Sequence, residues 1–232
     1  STPISMKKYG YEKLIEECNL KSVEIAKKAA HGKNVAVAGS VSTYGYFLKD
    51  GIENMLPSFN EHLKILSNSG VDLIILEAMS SQYDIVETLL KCSKEINIPI
   101  WLSISCVFDR NKEIYLGYDD DVKNDKPQIY ENFQDTLHKI KKIHSGPILV
   151  AHSNMSVTEE AIKILKNNYN NTIGAYPNRG YFEKPEWKFS DNIQPKDYLN
   201  KAKSWKNNGA QIIGGCCGIG LEEIKAISIL KN

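Results

Sequence analysis

A chain of 232 residues with 42% apolar and 25% charged side chains can bury a core, which excludes a disordered or fibrous polypeptide. Its 29 basic and 28 acidic residues leave a formal charge of +1, too weak a field to hold a nucleic acid or an anionic membrane, so a small molecule is the expected ligand. The longest apolar runs, such as 71–79, fall far short of the roughly 20 residues that span a bilayer, and residues 1–8 have no apolar stretch of a signal peptide, so a cytoplasmic address is expected.

In chain order, short β-branched runs alternate with longer amphipathic segments, the pattern of parallel βα units. The first helix, 11–30, places Leu14, Ile15, Cys18, Val23, Ala26 and Ala30 near one face that would pack on a sheet. Six strands are predicted at 35–41, 73–79, 100–108, 148–154, 172–178 and 211–218. Ser58 with Glu61 and Ser156 with Glu159 read as capping boxes, and Gly70 and Gly209 stand where helices should end. The aspartates of 118–127 lack the glycine and terminal glutamate of a calcium loop and read as a solvated connection between the third run and its helix. The connection 179–194, with Pro185 and Trp187, could fold over a site as a lid. No linker interrupts the pattern, so residues 1–232 read as one domain, and the unequal repeats suit a barrel better than a solenoid.

In a parallel α/β barrel the chemistry gathers at the C-terminal strand ends, and here those ends are unusual. The first ends in Ala38-Gly39-Ser40 followed by Tyr44-Gly45, the second in Glu77, the third in Ser105-Cys106, the fourth in His152-Ser153-Asn154, the fifth in Tyr176-Pro177-Asn178, and the sixth in Gly214-Gly215-Cys216-Cys217-Gly218. Five cysteines, two of them adjacent, make a poor disulfide framework. The glycines around Cys216 and Cys217 would let both sulfurs turn to one point, and zinc accepts thiolates, with three protein ligands and an open fourth position in catalytic sites. A pair of buried free cysteines at a tight turn is the alternative. Glu77 closes an apolar run, and a ligand ammonium or a neighbouring lysine would satisfy it. Gly39 and Ser40 offer backbone N–H groups and a hydroxyl to a carboxylate.

This set of strand ends resembles the homocysteine S-methyltransferase family, which includes the betaine- and S-methylmethionine-dependent enzymes. The resemblance covers nearly all of the chain, in order. It implies a TIM-type (β/α)8 barrel in which zinc held by three cysteines binds homocysteine and a charged donor supplies the methyl group, giving methionine. Carried onto this sequence, two zinc ligands fall on Cys216 and Cys217, the carboxylate for the homocysteine amino group on Glu77, and further substrate contacts on Gly39, Ser40 and Asn178.

The sequence departs from the family in two ways. Where the family has Asn-Cys this chain has His152-Ser153, and a serine hydroxyl is a poor zinc ligand. His152 could supply a nitrogen if a local twist turned it inward, Cys106 could substitute, or the zinc site could be weakened or lost. The six runs also correspond to the family's third to eighth strands, so the chain is expected to be N-terminally incomplete. It would be a piece of a longer protein, one strand-complemented by a homo-oligomer or another chain, or a reduced fold. The competing functional reading is a degenerate, non-catalytic member that binds a small amino acid or assembles with a partner; a third is transfer to a different thiol. For a charged methyl donor the aromatic candidates are Tyr44, Tyr46, Trp101, Tyr176 and Trp187.

Overall fold

The structure, a computed structural model, describes residues 2–43, 51–118, 128–183, 186–189 and 193–231. Two compact units divide it, the first built from Ser1–Met79 and Asp84–Leu102, the second from Ser80–Tyr83 and Ser103–Asn232.

The first unit opens with α1 (Pro3–Lys8), a 3-10 turn (Glu12–Leu14) and α2 (Ile15–Ala30). Strands β1 (Ala38–Ser42) and β2 (Leu73–Met79) then flank α3 (Gly51–Asn68), and α4 (Tyr83–Ser93) leads to β3 (Ile100–Ile104). The strand order is β1-β2-β3, with β1 and β2 parallel from Ala38 opposite Leu73 to Ser42 opposite Glu77. Period-two alternation buries Val37, Gly39 and Val41 while Ala38 and Ser40 stay exposed. The buried row meets α3, whose Met55, Phe59, Leu63 and Leu66 recur at helical spacing on one face. Gly39 is small for a packing reason: a Cβ there would lie 3.2 Å from Leu66.

Two local expectations need correcting. Ser58 is no cap, because α3 begins at Gly51; its hydroxyl instead accepts a 2.9 Å hydrogen bond from the Ile4 backbone N–H and ties α1 to α3. Helix α2 buries Ile15 and Val23 as expected, but it packs on α3 and leaves Leu14 exposed. The shared face holds a polar pair, Asn19 Oδ1 3.2 Å from His62 Nε2, with both residues buried.

In the second unit the strand order is β7-β8-β11, with β7 (Ile148–Ala151), β8 (Ile173–Tyr176) and β11 (Ile212–Ile213) parallel. Between them run α6 (Met155–Asn168) and α7 (Pro195–Asn207), and α8 (Leu221–Ile227) follows. All four residues of β7 are buried, as expected for a strand covered on both faces. All six predicted parallel strands are therefore present, although the third run breaks at Ser105. Its second half, β4 (Cys106–Phe108), joins β5 (Ile114–Tyr118) and β6 (Gln128–Asn132) in an antiparallel sheet, ahead of α5 (Phe133–Ile140). The 118–127 connection thus joins two strands, and its aspartates lie outside the described residues. The N-cap of α6 is Asn154, whose side chain accepts from the Ser156 N–H, two residues before the expected cap. Gly70 (φ +85°) and Gly209 (φ +98°) do end helices in the left-handed region. Among the described residues no helix is long and apolar enough to cross a membrane.

Burial lowers the pKa of His62 to about 4, against 6.5 for a free imidazole. The unfolded chain therefore binds a proton between pH 6.5 and 4 that the folded chain refuses. Its contribution to stability is complete above pH 6.5 and is lost as pH falls toward 4, by about 3 kcal/mol at most. Chemical denaturation across this range should show that slope in the native protein and a flatter one in His62→Gln; parallel slopes would remove His62 as its source.

Candidate metal centre

In a straight strand His152, one residue past the end of β7, would face opposite to its neighbours. It instead has φ +44°, a left-handed backbone rare for a residue with a Cβ. The turn brings its imidazole to Cys216 and Cys217, and one ligand atom from each of the three lies within 4.8 Å of the others. Ser153 goes the other way. It is 1% exposed, donates its hydroxyl to the Ala151 carbonyl at 2.7 Å and accepts from the Cys106 N–H at 2.8 Å. The side chain at 153 therefore stitches the ends of β7 and β4 together while the one at 152 faces the thiols. Cys106 is buried and stands outside this cluster, its thiol pushed up by burial.

Four hydrogen bonds fix the loop from β11 to α8. The N–H of Gly214 donates to Ala175 and that of Cys216 to Pro177, both at 2.9 Å; the N–H of Arg179 donates to Cys217 at 2.8 Å, and the buried Tyr198 hydroxyl donates to the Gly214 carbonyl. Two of the flanking glycines are sterically required. A Cβ on Gly215 would sit 2.2 Å from Ile219, and one on Gly218 (φ +79°) would sit 2.6 Å from Phe189 and 2.8 Å from the Arg179 carbonyl. The two sulfurs come within 3.9 Å, close to the ~3.8 Å edge of a tetrahedron with zinc–sulfur bonds of about 2.3 Å. The cluster thus fits a soft divalent ion with one position left open. The Cys217 sulfur, and then burial, raise the Cys216 thiol to about 12, with His152 acting in the opposite sense. A metal entering here must therefore displace protons.

A hairpin borders the cluster. Strands β9 (Tyr181–Glu183) and β10 (Glu186–Lys188) pair antiparallel after Gly180, where a Cβ would collide with the Lys188 carbonyl at 2.0 Å. Trp187 donates its indole N–H to the Arg179 carbonyl at 2.7 Å and sets its ring 5.9 Å from that of His152. Part of the expected lid segment is thus folded against the cluster, while Pro185 lies outside the described residues. The Arg179 guanidinium faces Glu223 at 3.9 Å, and Glu223 accepts from the Gly220 N–H at 2.9 Å, joining the hairpin root to the start of α8.

Asn178 is 4% exposed; its N–H donates to Ser153, and its Oδ1 is buried without a hydrogen-bond partner among the described residues. In the first unit, Gly39 is buried in β1, Ser40 is exposed beside it, and half-buried Glu77 stands opposite Ser42. Tyr44, Gly45 and Tyr46 lie outside the described residues. Sequence reasoning missed Arg179, Tyr198, Phe189 and Glu223. Of these only Arg179, adjoining Asn178, carried any local signal.

The sequence pattern of the family described as homocysteine S-methyltransferase matches residues 1–230. A maize relative named homocysteine S-methyltransferase 2 is 29% identical over 222 residues, covering 85% of this chain, and the selenocysteine methyltransferase of Astragalus bisulcatus is 25% identical over 212 residues, covering 83%. The chain spans 59% and 58% of those two proteins, about three-fifths of their length. The homocysteine methyltransferase MmuM of Escherichia coli, solved in a metallated form, superposes with a TM-score of 0.70 at 20% identity, over 99% of this chain and 76% of its own. At that identity the likeness establishes the fold.

The geometry predicts an asymmetric outcome at adjacent positions. In a competition titration against a chromophoric chelator, His152→Ala should weaken zinc binding at least tenfold, about 1.4 kcal/mol or more, while Ser153→Ala leaves it within twofold. Equal effects at both positions would contradict the assignment of 152 as the ligand position.

Proposed function

Because the chain belongs to the homocysteine S-methyltransferase family, we propose that it transfers a methyl group from a sulfonium or quaternary ammonium donor to the thiol of homocysteine, giving methionine, with zinc held by His152, Cys216 and Cys217. The observation that carries the proposal is the convergence of one imidazole and two thiols on a single point, from loops whose glycines and hydrogen bonds serve that convergence.

Zinc bound there would supply Lewis acidity, favouring the thiolate form of the acceptor sulfur at neutral pH. The sulfur lone pair forms the new S–CH3 bond, and the electrons of the breaking C–S or C–N bond leave with the donor, which departs as a neutral thioether or amine. No general acid is needed, which suits a site where we assign no catalytic acid or base.

The remaining roles belong to the chain's own side chains. Glu77 takes the ammonium of homocysteine, and Gly39 and Ser40 receive its carboxylate. The buried Oδ1 of Asn178 offers a further acceptor to the substrate. Tyr198 and the Arg179–Glu223 pair hold the thiol loop in register, and Trp187 keeps water from the His152 side. In this proposal both units belong to one cytoplasmic homocysteine-binding domain.

The test is formation of methionine from homocysteine by the zinc-loaded protein, with S-methylmethionine and betaine offered as donors. Cys217→Ala should lower turnover at least about a hundredfold. Undiminished turnover in that variant would refute the mechanism. Stoichiometric zinc with no turnover for either donor would favour the reading of a non-catalytic amino-acid binder.

A further inference from the structure

Buried side-chain oxygens at the strand ends of the second unit are of two kinds. Ser105 and Ser153 both donate to the Ala151 carbonyl, at 3.0 and 2.7 Å, and are satisfied within the chain. Ser81 is 4% exposed, yet its Oγ has no hydrogen-bond partner among the described residues. The Oδ1 of Asn178, also 4% exposed, is in the same state. A buried hydroxyl without a partner destabilises a fold, and alanine, one oxygen smaller, would avoid that loss.

Placement separates these two from other buried atoms of the kind. Those of His62, Thr136 and Trp205 lie within α3, α5 and α7. Ser81 stands two residues past the end of β2 and Asn178 two past the end of β8, at the C-terminal strand ends where parallel α/β sheets bind their ligands. The chain also pins Ser81 in place. Two residues on, the Tyr83 N–H donates to Glu131 at 3.0 Å, and the Lys139 ammonium, 3.1 Å from Glu131, lies 4.9 Å from the Tyr83 ring centre. Rotation about χ1 of a serine moves only its oxygen, so the hydroxyl can turn to a ligand while the backbone stays fixed.

The two groups are chemically complementary. An amide oxygen only accepts, whereas a hydroxyl can donate. The head group of an α-amino acid offers the matching pair, N–H donors on its ammonium and acceptor oxygens on its carboxylate. Resting on the methyl-transfer reading, we propose that Ser81 is a substrate-binding residue whose hydroxyl donates to the carboxylate of homocysteine and selects thiols that carry one.

Calorimetric titration of the zinc-loaded protein with homocysteine, with its decarboxylated analogue aminopropanethiol and with its deaminated analogue mercaptobutyrate reads this contact. Ser81→Ala should weaken homocysteine and mercaptobutyrate about tenfold or more and leave aminopropanethiol within about twofold, because only the first two present a carboxylate. The same substitution should raise the Tm of the ligand-free protein by a few degrees, since it deletes an unsatisfied group. Unchanged homocysteine affinity in Ser81→Ala, or no homocysteine binding by the native protein, overturns the inference. A fall in Tm does so too, because the hydroxyl would then be satisfied within the fold. Equal weakening of aminopropanethiol also overturns it, since Ser81 would then act only through the shape of the site. Carboxylate-selective loss in Ser81→Ala, in a protein that forms no methionine, supports Ser81 as the head-group contact and refutes the methyltransferase reading on which it rests.

Discussion

A single backbone torsion organises this site. In an extended strand, residues 152 and 153 must point to opposite faces, and only one of them can meet the loop that carries Cys216 and Cys217. The left-handed φ at His152 decides which, turning the imidazole to the thiols and committing Ser153 to the seam between β7 and β4. A β-substituted residue in this region carries strain of order 1–3 kcal/mol. Here both neighbours oppose its relaxation: Ser153 is locked by two hydrogen bonds, and the imidazole is backed by Trp187.

The thiol loop faces the same requirement and meets it with side-chain deletion. Gly215 and Gly218 leave the volume that Ile219 and Phe189 fill, and backbone contacts from the end of β8 hold the loop at both cysteines. The centre is therefore assembled from the ends of three strands and one hairpin, each held to the next by hydrogen bonds to the main chain. Side-chain identity matters at few positions, chiefly His152, Cys216 and Cys217, the glycines and Tyr198.

The parallel strands were legible because Val, Ile and Leu runs such as 73–79 and 148–151 are apolar on both faces, and such strands leave little ambiguity. The third run misled because continuous apolar character does not show where a strand changes sheets; the break at Ser105 depends on its hydroxyl reaching the Ala151 carbonyl, a contact 46 residues away. Ser58 and Ser156 each had a glutamate at capping distance, yet both lie inside helices, since local spacing cannot show that a helix starts earlier. At the site, Cys216 and Cys217 announced themselves through their glycines. His152 was legible as a residue type but not as a direction, because the torsion that aims it depends on what its neighbour bonds to. Tyr198 and Glu223 left no trace, their roles resting on contacts made only after the helices dock.

The His-Cys-Cys donor set has a consequence for charge balance. Under the proposed metal assignment, with a neutral imidazole in place of a third thiolate, Cys216 and Cys217 would carry two negative charges when deprotonated, and a divalent ion would make the bare centre neutral, not anionic. A neutral centre leaves less excess electron density on any further sulfur bound to it. Its one nitrogen and two sulfurs also form a borderline donor set that follows the general order of divalent affinities, in which cobalt, nickel and copper compete with zinc. Under that assignment, the metal held in the cell would be governed by metal supply as much as by the protein.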